Sequence, residues 1–439
     1  LKRPTIRGSV TDRERFFAES TWTAGVIGLG YVGLPLVMTA SRRGLSVVGF
    51  DVSDARVATL ISGVSPVDDV DDEELSDALE QGARFTTDAA ALADADAIFI
   101  CVPSPLGQNR EPDLSHIESA AQTVAQVARP GQLISLESTT YPGTTEDYIL
   151  PAIEKAGLVI DESIWVAYSP ERVSPGDDLK TADIPKVVGG VTPDSGMVAA
   201  AAYGRLVSSV HLVSSARAAE MTKLLENTYR AVNIGLINEI AQLSHELGID
   251  IWEVVDAAAT KPFGFQPFYP GPGVGGHCIP LDPQYLAWRA RGANFATRFI
   301  ETAEQINSGM PEYVVQRISS MLNDEGKAIR GSRILAVGLS YKPDISDDRE
   351  SASLEVTRRL SDRGAEVAGL DTFIDDRRIE KHGLEVANDG DLTGFDLAVI
   401  LTDHSSISYE GIARSVPLVF DTRGVYRRLG LEFENVNAL

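Results

Sequence analysis

The sequence predicts an α/β protein, two doubly wound parallel sheets joined by a central domain built on one long helix. Three observations predict it. A strand, a glycine turn, a helix and a second strand follow one another over residues 25–51 and end on Asp51. The same order returns over residues 334–371 and ends on Asp371. Between the two, one amphipathic pattern runs from about residue 214 to Gly248. Buried apolar strands alternating with helices are the mark of a parallel sheet covered on both faces, here two of the Rossmann-like kind.

In chain order, residues 24–29 form an apolar run, residues 32–43 carry helical spacing, Gly44 breaks it, and residues 45–50 are a second apolar run. Residues 95–102 and 132–137 repeat the buried-strand pattern, each ahead of a proline-bearing loop, and residues 166–167 and 186–190 add further strands. Met221, Leu225, Tyr229, Val232, Leu236, Ile240, Leu243 and Leu247 then recur every three or four residues, the spacing of a helix closed by Gly248. Its apolar stripe is expected to bury against a second copy of the chain or against the domain core. Helical pattern continues through 251–259, 283–291 and 299–322. Strands follow at 333–338, 366–370, 395–401 and 417–420, with a helix at 353–363. The expected domains are 1–212, 213–325 and 326–439.

With 439 residues, the chain has room for about three cores. Acidic residues number 63 against 39 basic, a net charge of −24. Such a surface repels phosphate backbones, so neither nucleic acid nor an anionic membrane is an expected partner. An anionic ligand must be held by a local basic cluster. Two cysteines, Cys101 and Cys278, rule out a disulfide framework or a cysteine-rich zinc site. No metal is expected, and the cytoplasm is the expected setting. The charged residues 1–20 do not read as a signal peptide.

Gly28-Leu29-Gly30-Tyr31-Val32-Gly33 follows a strand and opens a helix. Its glycines let the backbone approach a pyrophosphate at the helix N-terminus. Asp51, at the end of the second strand, is placed to bind a ribose 2′-hydroxyl, which favours NAD over NADP. Arg56 argues weakly the other way, or lines the adenine. The segment 271–283 sets four glycines ahead of Cys278, then Asp282-Pro283 as N-cap and first helical residue. A thiolate just before a helix N-terminus is favoured, so Cys278 is a candidate nucleophile. His277 is a candidate cofactor contact, and Cys101 reads as core. On the long helix, Lys223 and Asn227 stand four apart, off the apolar stripe, where a solvated face is the ordinary expectation. Residues 138–144 and 168–172 follow strands, where α/β active-site loops belong. Lys342 and Arg423 are basic residues at strand ends, suited to a diphosphate. The second half lacks the glycine fingerprint and is expected to bind something other than a dinucleotide.

In this order the segments 28–33, 101–105, 138–139, 169–171, 223–227, 275–282 and 341–351 resemble the UDP-glucose/GDP-mannose dehydrogenase family, the nucleotide-sugar 6-dehydrogenases. The resemblance spans nearly the whole chain. It implies an N-terminal NAD domain, a central helical domain that makes a homodimer, and a C-terminal UDP-sugar domain. It implies Cys278 as nucleophile, with Lys223, Asn227 and Asp282 polarising the reacting centre, and Thr139 and Glu171 positioning water and the nicotinamide end. By the same resemblance, Tyr31, Val32, Ser104 and Arg349 join the cofactor contacts. Arg172, Val173, Tyr269, Gly271, Gly275, Tyr341, Lys342 and Arg423 join the nucleotide-sugar contacts. The implied reaction is a four-electron oxidation of a C6 alcohol to a uronate that feeds surface polysaccharide synthesis.

Residues 261–273, 277–283 and 296–301 are most similar to the UDP-N-acetylhexosamine branch. Pro262 and Phe263, Pro175 and Leu281 stand where the UDP-glucose branch carries an arginine, an acidic residue and a lysine. The order of expectation is UDP-N-acetylglucosamine, then UDP-N-acetylmannosamine, then UDP-glucose. A two-electron hydroxyacid-type dehydrogenase would share the NAD fold without needing the Cys278 loop or the second sheet. A non-catalytic nucleotide-sugar sensor would keep Lys342 and Arg423 but has no use for Cys278 and Lys223.

Overall fold

The computed structural model describes residues 9–67, 69–107, 111–173, 181–276 and 278–439. They fall into two compact units, Leu1–Glu226 with Gln284–Asn294, and Asn227–Pro283 with Phe295–Leu439.

In the first unit, eight strands form one sheet: β1 (Thr23–Ile27), β2 (Ser46–Phe50), β3 (Arg84–Thr86), β4 (Ala97–Ile100), β5 (Gln132–Leu136), β6 (Ile164–Tyr168), β7 (Lys186–Gly190) and β8 (Val210–Val213). Their order is β3-β2-β1-β4-β5-β6-β7-β8. The strands are apolar because both faces are covered. Phe99 belongs to a cluster with Val26, Trp165 and Val188, while its neighbours Ile98 and Ile100 point into the opposite cluster with Ile134 and Val166. Chain order reverses between β1 and β4, so the loops after β1, β4 and β5 open on the crevice where such sheets bind ligands.

The sheet is not wholly parallel. β7 runs antiparallel to β6 and parallel to β8. A parallel return needs a crossover of about a dozen residues or more, usually a helix. The described part of the β6–β7 connection holds only the single turn Thr181–Asp183.

In the second unit, β9 (Arg333–Val337), β10 (Glu366–Leu370), β11 (Glu385–Val386), β12 (Leu397–Ile400), β13 (Val419–Asp421) and β14 (Val436–Ala438) form an all-parallel sheet. Its order is β11-β10-β9-β12-β13-β14, with the same reversal beside the first strand. Two doubly wound sheets with a long helix between them in sequence is the fold class the sequence predicts.

The long helix runs over Ala216–Glu246, and Gly248 follows at φ 67° as its left-handed stop. Its faces are disposed otherwise than an isolated amphipathic helix suggests. Apart from Leu224, the buried positions are small or polar, among them Ala219, Lys223, Ala231, Asn238, Ala241 and Ser244. The predicted stripe is instead largely exposed, from 39% at Met221 to 63% at Leu247. The small face exists for close approach. A Cβ on Gly235 would stand 3.1 Å from the Cα of Ala303, in the helix Arg298–Asp324. Beside it, Asn238 donates to the side-chain oxygen of Asn307 at 3.0 Å, and Asn307 donates to the Ala231 carbonyl at 3.0 Å. Asn238 also accepts the Gly271 N–H at 3.0 Å, which pins the glycine-rich segment to the helix.

No helix among the described residues is long and apolar enough to cross a membrane.

Candidate active site

In the first unit, β1 delivers the chain into the glycine turn. Gly28 takes φ 89°, and a Cβ there would lie 2.6 Å from the Cys101 carbonyl oxygen. A Cβ on Gly33 would meet the Gly28 oxygen at 1.8 Å, so only glycine lets the helix Gly33–Arg42 start so close to the strand. A Cβ on Gly30 meets only Arg56, at 3.6 Å, leaving the turn open where a pyrophosphate would approach. Val32 is the N-cap and Tyr31 is exposed. Asp51 accepts the N–H of Leu29 at 2.9 Å with one oxygen and that of Ser53 at 3.0 Å with the other. Arg56 donates to the Leu29 carbonyl at 3.0 Å. It is tied to the turn rather than held out for a 2′-phosphate. These residues fit NAD.

If Asp51 accepts a ribose hydroxyl as the sequence leads one to expect, Asp51→Ala removes a charge-assisted bond of about 1.5–3 kcal/mol. The KM for NAD should rise by roughly 10–100-fold, with kcat less affected. Initial rates at varied NAD test this, and an unchanged KM would remove Asp51 from the cofactor site.

Ser104 donates to the Thr139 carbonyl at 2.7 Å and Ser138 donates to the Val102 carbonyl at 2.7 Å, so the loops after β4 and β5 are tied together. Glu220, fully buried on the long helix, accepts the N–H groups of Gly143 at 2.5 Å and Thr145 at 2.9 Å, fixing the loop beyond Thr139. Burial pushes the Glu220 carboxyl up to about 7 against its three hydrogen-bond donors.

Glu171 stands after β6. One carboxylate oxygen accepts the N–H groups of Arg172 and Val173, both at 2.8 Å, and the other accepts from Lys186 at 2.8 Å. Burial pushes this carboxyl up, but the Lys186 charge and hydrogen bond, with the two backbone donors, outweigh it and hold Glu171 below the usual carboxylate range. Lys223 donates to the Glu171 carbonyl at 2.6 Å and is only 7% exposed. Its face of the long helix is therefore not solvated, as spacing alone led one to expect. The Arg172 fork is engaged by Glu226 at 2.7 Å and the Pro185 carbonyl at 2.8 Å. Lys186 and Glu137, with Tyr203 behind them, were not among the predicted site residues. A lysine at the start of a strand and a glutamate at the end of one carry no sequence signal.

In the second unit, the carbonyl of Cys278 accepts the Asp282 N–H at 2.9 Å, which seats the thiol just ahead of the helix Asp282–Gly292. Asp282 is the first residue of that helix rather than its N-cap. Its side chain is 2% exposed and is engaged by the Asn227 amide, so it is taken up by the long helix. Asn227 has two N–H donors, and the bond to Asp282 fixes the direction of the other. His277 lies outside the described residues.

The glycines 271–276 are set against the second sheet. A Cβ on Gly271 would lie 2.8 Å from the guanidinium of Arg423, and on Gly275 2.7 Å from the Cβ of Tyr341. Arg423 is anchored by a bond of 2.7 Å from its Nε to the Leu401 carbonyl, leaving its terminal nitrogens toward Gly271. Tyr269 stacks on Trp252 with centroids 5.6 Å apart. Tyr341 and Lys342 follow β9, while Arg349 pairs with Asp347 at 2.6 Å. The equivalent of Asp51 is Asp371, and here the carboxylate is engaged by a histidine. His404 and the Asp371 side chain are both fully buried, 3.0 Å apart, with Phe373 stacked on the imidazole at 4.9 Å.

Residues 23–207, 217–309 and 335–428 match, in turn, the NAD binding, central and UDP binding domains of the UDP-glucose/GDP-mannose dehydrogenase family. The chain is 34% identical over 390 residues to UDP-N-acetyl-D-glucosamine 6-dehydrogenase of Pseudomonas aeruginosa, covering 88% of this chain and 91% of that one. The chain belongs to this family. It is also 34% identical to UDP-N-acetyl-D-mannosamine dehydrogenase of Methanococcus maripaludis, over 91% of this chain and 92% of the relative. The structure of the UDP-D-ManNAc dehydrogenase from Pyrococcus horikoshii superposes with a TM-score of 0.86 at 31% identity, over 95% of this chain and 98% of the other. The enzyme is thus an NAD-dependent oxidoreductase acting on a CH–OH group of a nucleotide sugar.

Proposed function

We propose that the enzyme oxidises the C6 alcohol of UDP-N-acetylmannosamine to the uronate, in two oxidations on one sugar, for surface polysaccharide synthesis. The observation that carries the sugar assignment is the likeness to the Pyrococcus horikoshii enzyme, at TM-score 0.86 over 95% of the chain. The Methanococcus maripaludis relative points the same way. This reverses the order expected from sequence motifs, which put UDP-N-acetylglucosamine first. That sugar stays as the second reading, favoured by the Pseudomonas aeruginosa relative.

NAD, when bound, supplies the hydride acceptor for each oxidation. The chain's residues supply the rest. Cys278 attacks the C6 aldehyde from the first oxidation and holds it as a thiohemiacetal, which the second oxidation turns into a thioester. Lys223, with one of its three donors on the Glu171 carbonyl, and Asn227, oriented by Asp282, stabilise the oxyanion of each tetrahedral stage. Thr139 and Glu171 hold the water that hydrolyses the thioester, releasing the uronate and the Cys278 thiol. Lys342 and Arg423 take the diphosphate, which answers the need for local basic groups in a chain of net charge −24. Residues 1–212, 213–325 and 326–439 are the working domains. The exposed stripe of the long helix, from Met221 to Leu247, supports a homodimer formed through that face.

The test is NAD reduction with UDP-N-acetylmannosamine, UDP-N-acetylglucosamine and UDP-glucose. The expected kcat/KM for UDP-N-acetylmannosamine exceeds that for UDP-glucose by at least about a hundredfold, because a site built to hydrogen-bond an amide is left unpaired without it. A higher kcat/KM with UDP-glucose would overturn the assignment.

A further inference from the structure

We propose that Lys186 is a positioning residue for thioester hydrolysis: clamped by Glu137, its ammonium holds the Glu171 carboxylate in the one orientation that leaves a lone pair for the attacking water. This deepens the reading of Glu171 as the group that holds that water, and rests on it.

Lys186 opens β7 with its side chain 4% exposed. Its Nζ donates to Glu137 at 2.7 Å and to Glu171 at 2.8 Å. Behind it, the other oxygen of Glu137 accepts the Tyr203 hydroxyl at 2.7 Å, and Tyr203 shares a bond of 2.7 Å with Ser135. Every link from Ser135 to Lys186 is buried, so the ammonium has no freedom to swing.

A buried ammonium requires one buried carboxylate for neutrality, and Glu137, wholly inaccessible, already supplies it. Glu171 is superfluous to that balance. It is also the member of the trio with access to solvent, 13% exposed. One Glu171 oxygen is saturated by the N–H groups of Arg172 and Val173, and its carbonyl by Lys223. The oxygen bonded to Lys186 is the one with capacity left for water.

Among the described residues, the titratable and charged groups around Glu171 are Lys186 on β7, Glu137 after β5, Tyr203, Cys101 after β4, Lys223, and the Arg172–Glu226 pair. Burial pushes the Tyr203 and Cys101 hydrogens to far higher pH, so both stay neutral. Lys186 is the cation that meets the Glu171 carboxylate directly.

The experiment compares wild-type enzyme with the charge-balanced double variant Glu137→Gln/Lys186→Met and with Glu171→Gln. Readouts are the single-turnover NADH burst, steady-state uronate formation and its pH profile, with circular dichroism to verify folding. In the double variant the burst rate should stay within about twofold, while steady-state kcat falls by about tenfold or more, as for a displaced general base. The acid limb of kcat should move up by about one pH unit, because Glu171 has lost the charge that keeps it ionised. A folded double variant with wild-type kcat and acid limb overturns the proposal, as does equal loss of burst and steady-state rates. A wild-type uronate rate in Glu171→Gln would instead overturn the underlying reading of Glu171.

Discussion

Cys278→Ala should lower the rate of uronate formation by about 10³-fold or more, the scale of losing a covalent nucleophile. The reason is chemical rather than structural. The thiol lies one turn before the helix Asp282–Gly292, held there by backbone bonds from Leu281 at 3.2 Å and Asp282 at 2.9 Å to its own carbonyl. Those bonds survive the substitution. Folding and nucleotide-sugar affinity should therefore persist. On the proposed route, the aldehyde from the first oxidation then has nothing to hold it for the second. Product analysis after NAD reduction should find at most one NADH per sugar consumed and little uronate. Uronate at a near normal rate would rule out the covalent route.

Lys186→Met alone should destabilise the first unit by about 3–5 kcal/mol, because two carboxylates are left in a buried site without their cation. That is a large share of a stability of about 5–15 kcal/mol. The pH dependence gives this loss a signature. In the wild type, the depressed Glu171 carboxyl contributes stability that is present above its unfolded pKa and lost as pH falls through the folded value. Burial already holds the Glu137 carboxyl above its usual range in the wild type despite Lys186; without that cation both carboxyls are raised, and a raised acid contributes stability that is lost as pH rises. The variant's Tm should therefore increase as pH is lowered from 8 toward 5, a trend opposite to the Glu171 contribution in the wild type. Thermal unfolding across that range measures it. A Tm within a degree or two of wild type at pH 8 would show that the trio contributes no stability.

The legible parts of the molecule are those where geometry forces a residue type. Gly28 needs a positive φ and Gly33 has no room for a Cβ, so the turn is written in glycine. Gly248 marks the end of the long helix for the same reason. Cys278 stands out as a candidate because four glycines and a helix start surround it. What sequence could not carry is partnership. The apolar stripe from Met221 to Leu247 has the pattern of a core face, yet within the chain the buried face is the one with Ala231, Gly235 and Asn238, chosen for close helix contact. The five apolar and glycine-rich residues of β7 carry no mark of its antiparallel direction, since either direction buries them alike. The Ser135–Tyr203–Glu137–Lys186–Glu171 chain draws on three strands or their ends and one helix. Nothing in the local sequence of any member announces the others.

Whether one sugar undergoes four-electron oxidation is decided by the amount of NADH formed per sugar consumed. With UDP-N-acetylmannosamine and excess NAD, two NADH should form per sugar consumed, with the uronate as product and no free aldehyde accumulating. One NADH per sugar consumed, with the aldehyde as product and no uronate released, would return the enzyme to a two-electron dehydrogenase in which Cys278 has no covalent part.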